Sequence, residues 1–201
     1  MLKFIFTFIF LLTNFNLLYS QNDWELIKNE NGIAIYLKSS DDSDFIELKT
    51  ITILNTNIDN LLTKIKNVPG YTTWIYGAIE SYTISSISDN EFIYYMKSDM
   101  PWPVLDRESV IKLRLDISST KVYSQSTCVK GYVDENENAV RIYDMNGSWT
   151  FEVIDNNNVE IVYYVKLNPG NDVPNWLIKA AADIAPYKTL LALKEQVKNQ
   201  E

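Results

Sequence analysis

Asp106, Arg107 and Glu108 bring two carboxylates and a guanidinium together directly after Pro101-Trp102-Pro103-Val104-Leu105, and Ser109-Val110 follows. Proline fixes φ and lacks an N–H, so a strand must stop at this run. The residues before each proline, Met100 and Trp102, are pushed toward extended backbone. Ordinary surface turns use Gly, Asn, Asp and Ser. A stiff loop with an indole and two aliphatics in front and charges at its base reads instead as the wall or lid of a site. Its chemistry is limited by what is missing. There is no histidine, which removes the commonest general base and the commonest zinc ligand together. Ser-His-Asp, Cys-His and His-metal chemistry are thereby excluded. Cys128 is the only cysteine and so forms no internal disulfide. Its place in the strand-like stretch Val122 to Val129 predicts a buried or half-buried small residue. Tyr82, Tyr94 and Tyr163 offer phenolic hydroxyls to a head group or carbonyl. Asn146-Gly147-Ser148 fits a glycosylation sequon but reads first as a turn before a strand.

The elements that position these groups are mostly strands. Ile33 to Leu37 alternates after the turn signal Asn31-Gly32, and Phe45 to Leu54 alternates again. Ile58, Leu61, Leu62, Ile65 and Val68 recur at helical spacing, with Asn57 or Thr56 as cap and Pro69-Gly70 as stop. Tyr71 to Trp74 is expected to lead into further strands. From Ala78 to Leu167 the pattern is β: Glu80 to Ser86, Glu91 to Lys97, Ser109 to Ile117, Val122 to Val129, Val140 to Asp144, Ser148 to Ile154 and Val159 to Leu167. Short polar links between them predict an antiparallel meander. One apolar and one wet face per strand predict a curved sheet open to solvent on its back. Pro174 opens a long helical pattern running to Val197, which Pro186 should bend or reset near Ala185.

Met1-Leu2-Lys3 followed by the apolar run Phe4 to Leu12 reads as a signal peptide over residues 1–20, cleaved near Ser20. Residues 21–201 then form one domain, and the protein is expected to be exported, either periplasmic or secreted. Net charge is −8, and losing Lys3 makes it more negative. That disfavours nucleic acid and anionic membrane surfaces as partners.

Strand, strand, helix, a long meander and one final helix suggest an α+β helix-grip fold, a curved antiparallel sheet wrapped around a long C-terminal helix. Specific residues go further. Pro101-Trp102-Pro103 with Arg107-Glu108-Ser109-Val110 resembles the loop-to-strand signature of START domains, the lipid-transfer domains related to the steroidogenic acute regulatory protein. Gly147-Ser148-Trp149-Thr150-Phe151 resembles that family's glycine-tryptophan strand. Asn168-Pro169-Gly170, Val173-Pro174 and Trp176-Leu177-Ile178 resemble its segment before the last helix, and Thr189-Leu190 and Leu193-Lys194 match the later helix. The blocks occur in family order over about Trp24 to Val197. Two departures are present: the family's second glycine is Asn171 here, and a basic tunnel residue of some sterol-binding members is Leu113 here.

The resemblance implies a lipid or other apolar small molecule held in a tunnel between sheet and helix, with the Pro101 to Arg107 loop roofing it. The lining would be Tyr94, Met96, Ile111, Leu113, Val140, Ile142, Trp149, Phe151, Ile161, Tyr163 and Val165, faced by Trp176, Leu177, Ala180, Ala181 and Ile184. Trp102 would be a lid or membrane-contact residue. Arg107 with Asp106 or Glu108 would anchor the loop base, with head-group contact as the other reading. No cofactor or metal is expected, and the chain would act as a monomer with at most transient membrane contact. The rival readings are an enzyme like the aromatase/cyclases of the same fold, and an interaction module with a filled core.

Overall fold

The computed structural model describes residues 24–38, 45–170 and 173–198. The expected signal peptide over residues 1–20 and the departure at Asn171 lie outside them. The strands are β1 (Glu25–Glu30), β2 (Ile33–Lys38), β3 (Ile46–Asn55), β4 (Ala78–Ser88), β5 (Glu91–Ser98), β6 (Asp106–Ile117), β7 (Lys121–Cys128), β8 (Ala139–Arg141), β9 (Met145–Val153) and β10 (Asn158–Leu167). The helices are α1 (Ile58–Lys66) and α2 (Asn175–Val197). One open sheet runs β1-β2-β3-β10-β9-β7-β6-β5-β4. Short β8 lies parallel to the start of β6, pairing Asp106 with Ala139, and fills the place that β7 does not reach.

Local chemistry accounts for the elements. Asn31 and Gly32 both take positive φ, 51° and 77°, as a tight hairpin turn requires, and β1 folds back on β2. Asn57 caps α1 by accepting from the backbone N–H of Asn60 at 2.9 Å. Lys64 and Lys66 sit in its last turn, the favoured end for cations. Alternation then divides the sheet. On its concave face Ile33, Ile35, Leu54, Ile111, Leu113, Phe151 and Ile161 are buried in one core. On the back, Ile93, Tyr95 and Val110 form a smaller cluster under Val129 and Val133.

The structure corrects four expectations. Residues Val68–Thr73 form a 3-10 turn rather than a lead into strands. It turns Tyr71 and Trp74 into the core, each nearly inaccessible. Asn146-Gly147-Ser148 is not a turn but lies inside β9, with Gly147 opposite Val165. Pro186 does not reset the last helix, which runs unbroken from Asn175 to Val197; its ring faces inward and is buried. The inward face of α2 is Ala182, Pro186, Thr189, Leu190, Leu193 and Val197, not the expected Trp176, Ala180, Ala181 and Ile184.

Candidate functional site

The concave face and α2 enclose a core of mostly apolar side chains, with buried Arg107 on the same face at its loop end. Trp149 on β9 stacks on Tyr163 on β10 with ring centroids 4.3 Å apart. Trp74 meets Trp149 edge-on at 5.7 Å, and Tyr71 stands edge-on to both Trp74 and Tyr94. Such pairs contribute about 0.5–1.5 kcal/mol each beyond their buried area. Burial pushes the Tyr163 hydroxyl up to about 12. Burial, then Tyr163 and Cys128, raises Tyr94, only partly offset by a hydrogen bond with Ser126. Both phenols therefore stay protonated and can donate. Burial likewise lifts the Cys128 thiol to about 11, despite the hydrogen bond from Ser109, which makes it a poor nucleophile. Among the described residues no cluster of histidine, cysteine, aspartate and glutamate could hold a metal ion.

Of the expected lining, Tyr94, Ile111, Leu113, Trp149 and Phe151 belong to this core, and Met96 and Tyr163 pack against it. Trp176 is 69% exposed and Ile184 38%, and Ala180 and Ala181 also face outward. They are corrected from lining to outer surface. This part of α2 is apolar nearly all round, so the packed face follows from the later residues Leu190, Leu193 and Val197, which fix the rotation of the helix. Tyr82 stacks on Tyr95 on the back of the sheet and is likewise not an interior hydroxyl. Tyr71 and Trp74, which the sequence reading omits, are interior. They sit in a turn without periodicity, and the only available signal was two aromatics beside Pro69-Gly70.

Strand alternation divides the Asp106-Arg107-Glu108 cluster, with the two carboxylates on one face of β6 and the guanidinium on the other. Asp106 pairs with Lys97 at 3.0 Å and accepts from the backbone N–H of Met100; the Lys97 hydrogen bond, ahead of burial, holds its carboxyl below the usual range. Glu108 points to the back, 1% exposed. It accepts from Tyr95 Oη at 2.7 Å, from the N–H of Asn136 at 2.9 Å and from Arg141 Nε at 2.9 Å. Burial pushes this carboxyl up, but Asn136, Tyr95 and Arg141 together outweigh it and hold it low. Arg141 also donates to Val133 O and Asp134 O, which ties the segment between β7 and β8 over the back of the sheet.

Arg107 points to the concave side and is buried. Its Nε donates to Pro169 O at 3.2 Å and its guanidinium to Leu105 O. One side chain thus joins the loop between β5 and β6 to the segment before α2. Those two segments face each other across a cleft of about 240 Å³ lined by Pro101 to Leu105, Pro174, Trp176 and Leu177. Trp102 at its lip is 92% exposed. Drug-sized ligand pockets run from about 300 to 1,000 Å³, so the cleft holds only part of a lipid-sized molecule.

Comparison with known proteins gives a consistent result. The START domain family model matches residues 14–185. An uncharacterized protein of Pseudomonas aeruginosa is 26% identical over 178 residues, 86% of this chain and 85% of that protein. The phosphatidylcholine transfer protein of Rattus norvegicus is 26% identical over 167 residues, 80% of this chain and 77% of that protein. Among solved structures, a STAR-related lipid transfer protein from Xanthomonas axonopodis has a TM-score of 0.79 at 24% identity, covering 89% of this chain and 100% of that one. Human StAR-related lipid transfer protein 5 has a TM-score of 0.77 at 14% identity, covering 90% of this chain and 88% of that one. These likenesses bear out the helix-grip fold.

Proposed function

This chain belongs to the START domain family, and from that premise we propose that it binds a lipid or other apolar small molecule between the concave face of the sheet and α2. The observation that carries this reading is the pairing of a core of mostly apolar side chains with a cleft at its loop end. The similarity to phosphatidylcholine transfer proteins supports the same class of cargo. Binding would draw on burial of apolar ligand surface at about 25 cal/mol per Å². The Pro101–Leu105 loop and the start of α2 would act as the gate, with Arg107 as the tie between them. Gating by loops and lids of this kind is common.

Binding rather than catalysis is favoured because the interior phenols and Cys128 are held protonated. The exposed apolar lip, Trp102 with Leu105 and Trp176, supports transient contact with a membrane surface. The negative net charge makes that surface a neutral one. No helix among the described residues is long and apolar enough to cross a membrane. We place the protein outside the cytoplasm as a monomer, after removal of residues 1–20. The mass of protein recovered from culture fractions checks the cleavage.

Native mass spectrometry of protein purified from its producing cells, followed by organic extraction, tests the binding reading. A stoichiometric apolar compound is expected. Protein that is ligand-free as purified, and that takes up nothing from mixed-lipid vesicles, would overturn it.

A further inference from the structure

Two buried polar atoms border the aromatic cluster without a hydrogen-bond partner: Trp74 Nε1 and Thr50 Oγ1. A third, Ser81 Oγ, lies opposite Met96 and outside the cluster. Thr50 is wholly inaccessible and Trp74 nearly so. Thr50 sits directly across from Tyr163 in the pairing of β3 with β10. Tyr163 stacks on Trp149, and Trp149 meets Trp74. The two groups therefore flank one continuous aromatic wall from opposite sides. Leaving such groups unpaired is costly, and folded proteins rarely do so. The indole N–H is a donor only, so what is missing beside Trp74 is an acceptor.

The surroundings restrict that acceptor. Among the described residues, the buried charged side chains are Arg107, Glu108 and Arg141, and the last two pair with each other on the back of the sheet. Arg107 lies on the concave face, but at the loop end, with its guanidinium bonded to Pro169 O and Leu105 O. A buried ion without a charged partner costs several kcal/mol. A carbonyl or ester oxygen carries no such cost and accepts from neutral donors. We infer that the interior selects an uncharged lipid with two carbonyl oxygens, one accepting from Trp74 Nε1 and the other from Thr50 Oγ1. This rests on the interior-binding reading above and names its ligand class.

Dioleoylglycerol and dioleoylphosphatidylcholine share both acyl chains and differ in the phosphocholine, so they isolate the point. Delipidated protein is equilibrated with vesicles containing equal amounts of the two, re-isolated, and its lipid quantified by mass spectrometry. Dioleoylglycerol is expected to exceed the phospholipid at least about tenfold on the protein. Trp74→Phe and Thr50→Val are each expected to lower its retention about tenfold, the value of one hydrogen bond. The melting temperature of delipidated Thr50→Val should be unchanged or raised, because it loses an unpaired group at nearly constant volume, whereas Trp74→Phe also gives up ring contacts and should melt somewhat lower while remaining folded. Equal or preferential retention of the phospholipid overturns the ligand class while leaving interior binding intact. Unchanged retention in both folded variants overturns the two donors and assigns them to buried water. Retention of neither lipid overturns both the inference and the reading it rests on.

Discussion

The later part of α2 buries Leu190, Leu193 and Val197 and is hydrogen-bonded to three other segments, whereas its first turns expose Trp176 and Ile184. Thr56 Oγ1 donates to Val197 O at 2.6 Å, Gln196 Nε2 to Thr73 O at 2.9 Å, and Lys64 Nζ to Gln196 Oε1 at 2.9 Å. Tyr76 adds its N–H to Thr189 Oγ1. At the other end, the start of α2 shares the cleft with the Pro101–Leu105 loop. That loop repeats the division. Its base is fixed by Lys97–Asp106 and by Glu108 with Arg141, while Trp102 at its tip is open to solvent. The gate proposed above would therefore have firm anchors beneath both moving parts, with Arg107 as the tie between them.

Four substitutions break or sharpen this contrast. The largest loss is expected for Glu108→Gln, which leaves Arg141 buried without its countercharge, at about 3–5 kcal/mol in denaturant unfolding at pH 7. Glu108 has a depressed folded-state pKa, so its stabilisation is present above the unfolded carboxylate value and is lost as pH falls through the folded one. The gap between wild type and variant should therefore narrow in acid. Leu193→Ala, in the anchored part of α2, should cost about 2–5 kcal/mol; a cost no greater than that of Trp176→Ala would erase the contrast. Arg107→Ala strips a donor from Leu105 O and Pro169 O, at about 1–3 kcal/mol, and should speed exchange of bound lipid measured by stopped-flow fluorescence. Trp102→Ala should change stability by no more than about 0.5 kcal/mol while weakening co-sedimentation with neutral vesicles.

The sheet was legible because alternation and turn signals agree, as in Ile111-Leu113-Leu115 against Lys112 and Arg114, whose positions in β6 match. β1 escaped notice because none of its residues is fully buried, leaving no clear apolar stripe to read. The face of α2 was misassigned because Trp176 to Ile184 is apolar on almost every side, and periodicity selects a face only where one side is polar. Arg107 bonds Leu105 O and Pro169 O, where the sequence suggests Asp106 or Glu108, since main-chain carbonyls leave no trace in sequence. Tyr71 lies in a 3-10 turn and Trp74 caps its end, where side-chain direction follows the turn and not a repeat. The candidate site was thus visible on its strands and obscured at its turn and helix.

Pro186 lies within α2, between its anchored end and its exposed start. Proline supplies no N–H to the carbonyl four residues back, so Ala182 O lacks its helical bond there. In mechanical terms the gate proposed above would be a lever, clamped by Leu190 to Val197, held more lightly by Ala182 and the Lys28–Asp183 pair, and weakened at one joint. Trp176 is ten residues beyond that joint, a lever arm of about 15 Å at 1.5 Å per residue. A rotation of about 20°, the scale of a proline kink, carries the indole by about 5 Å. Opening of the proposed gate about this joint would also have to part Asp183 from Lys28 and lift Leu177 from its buried place.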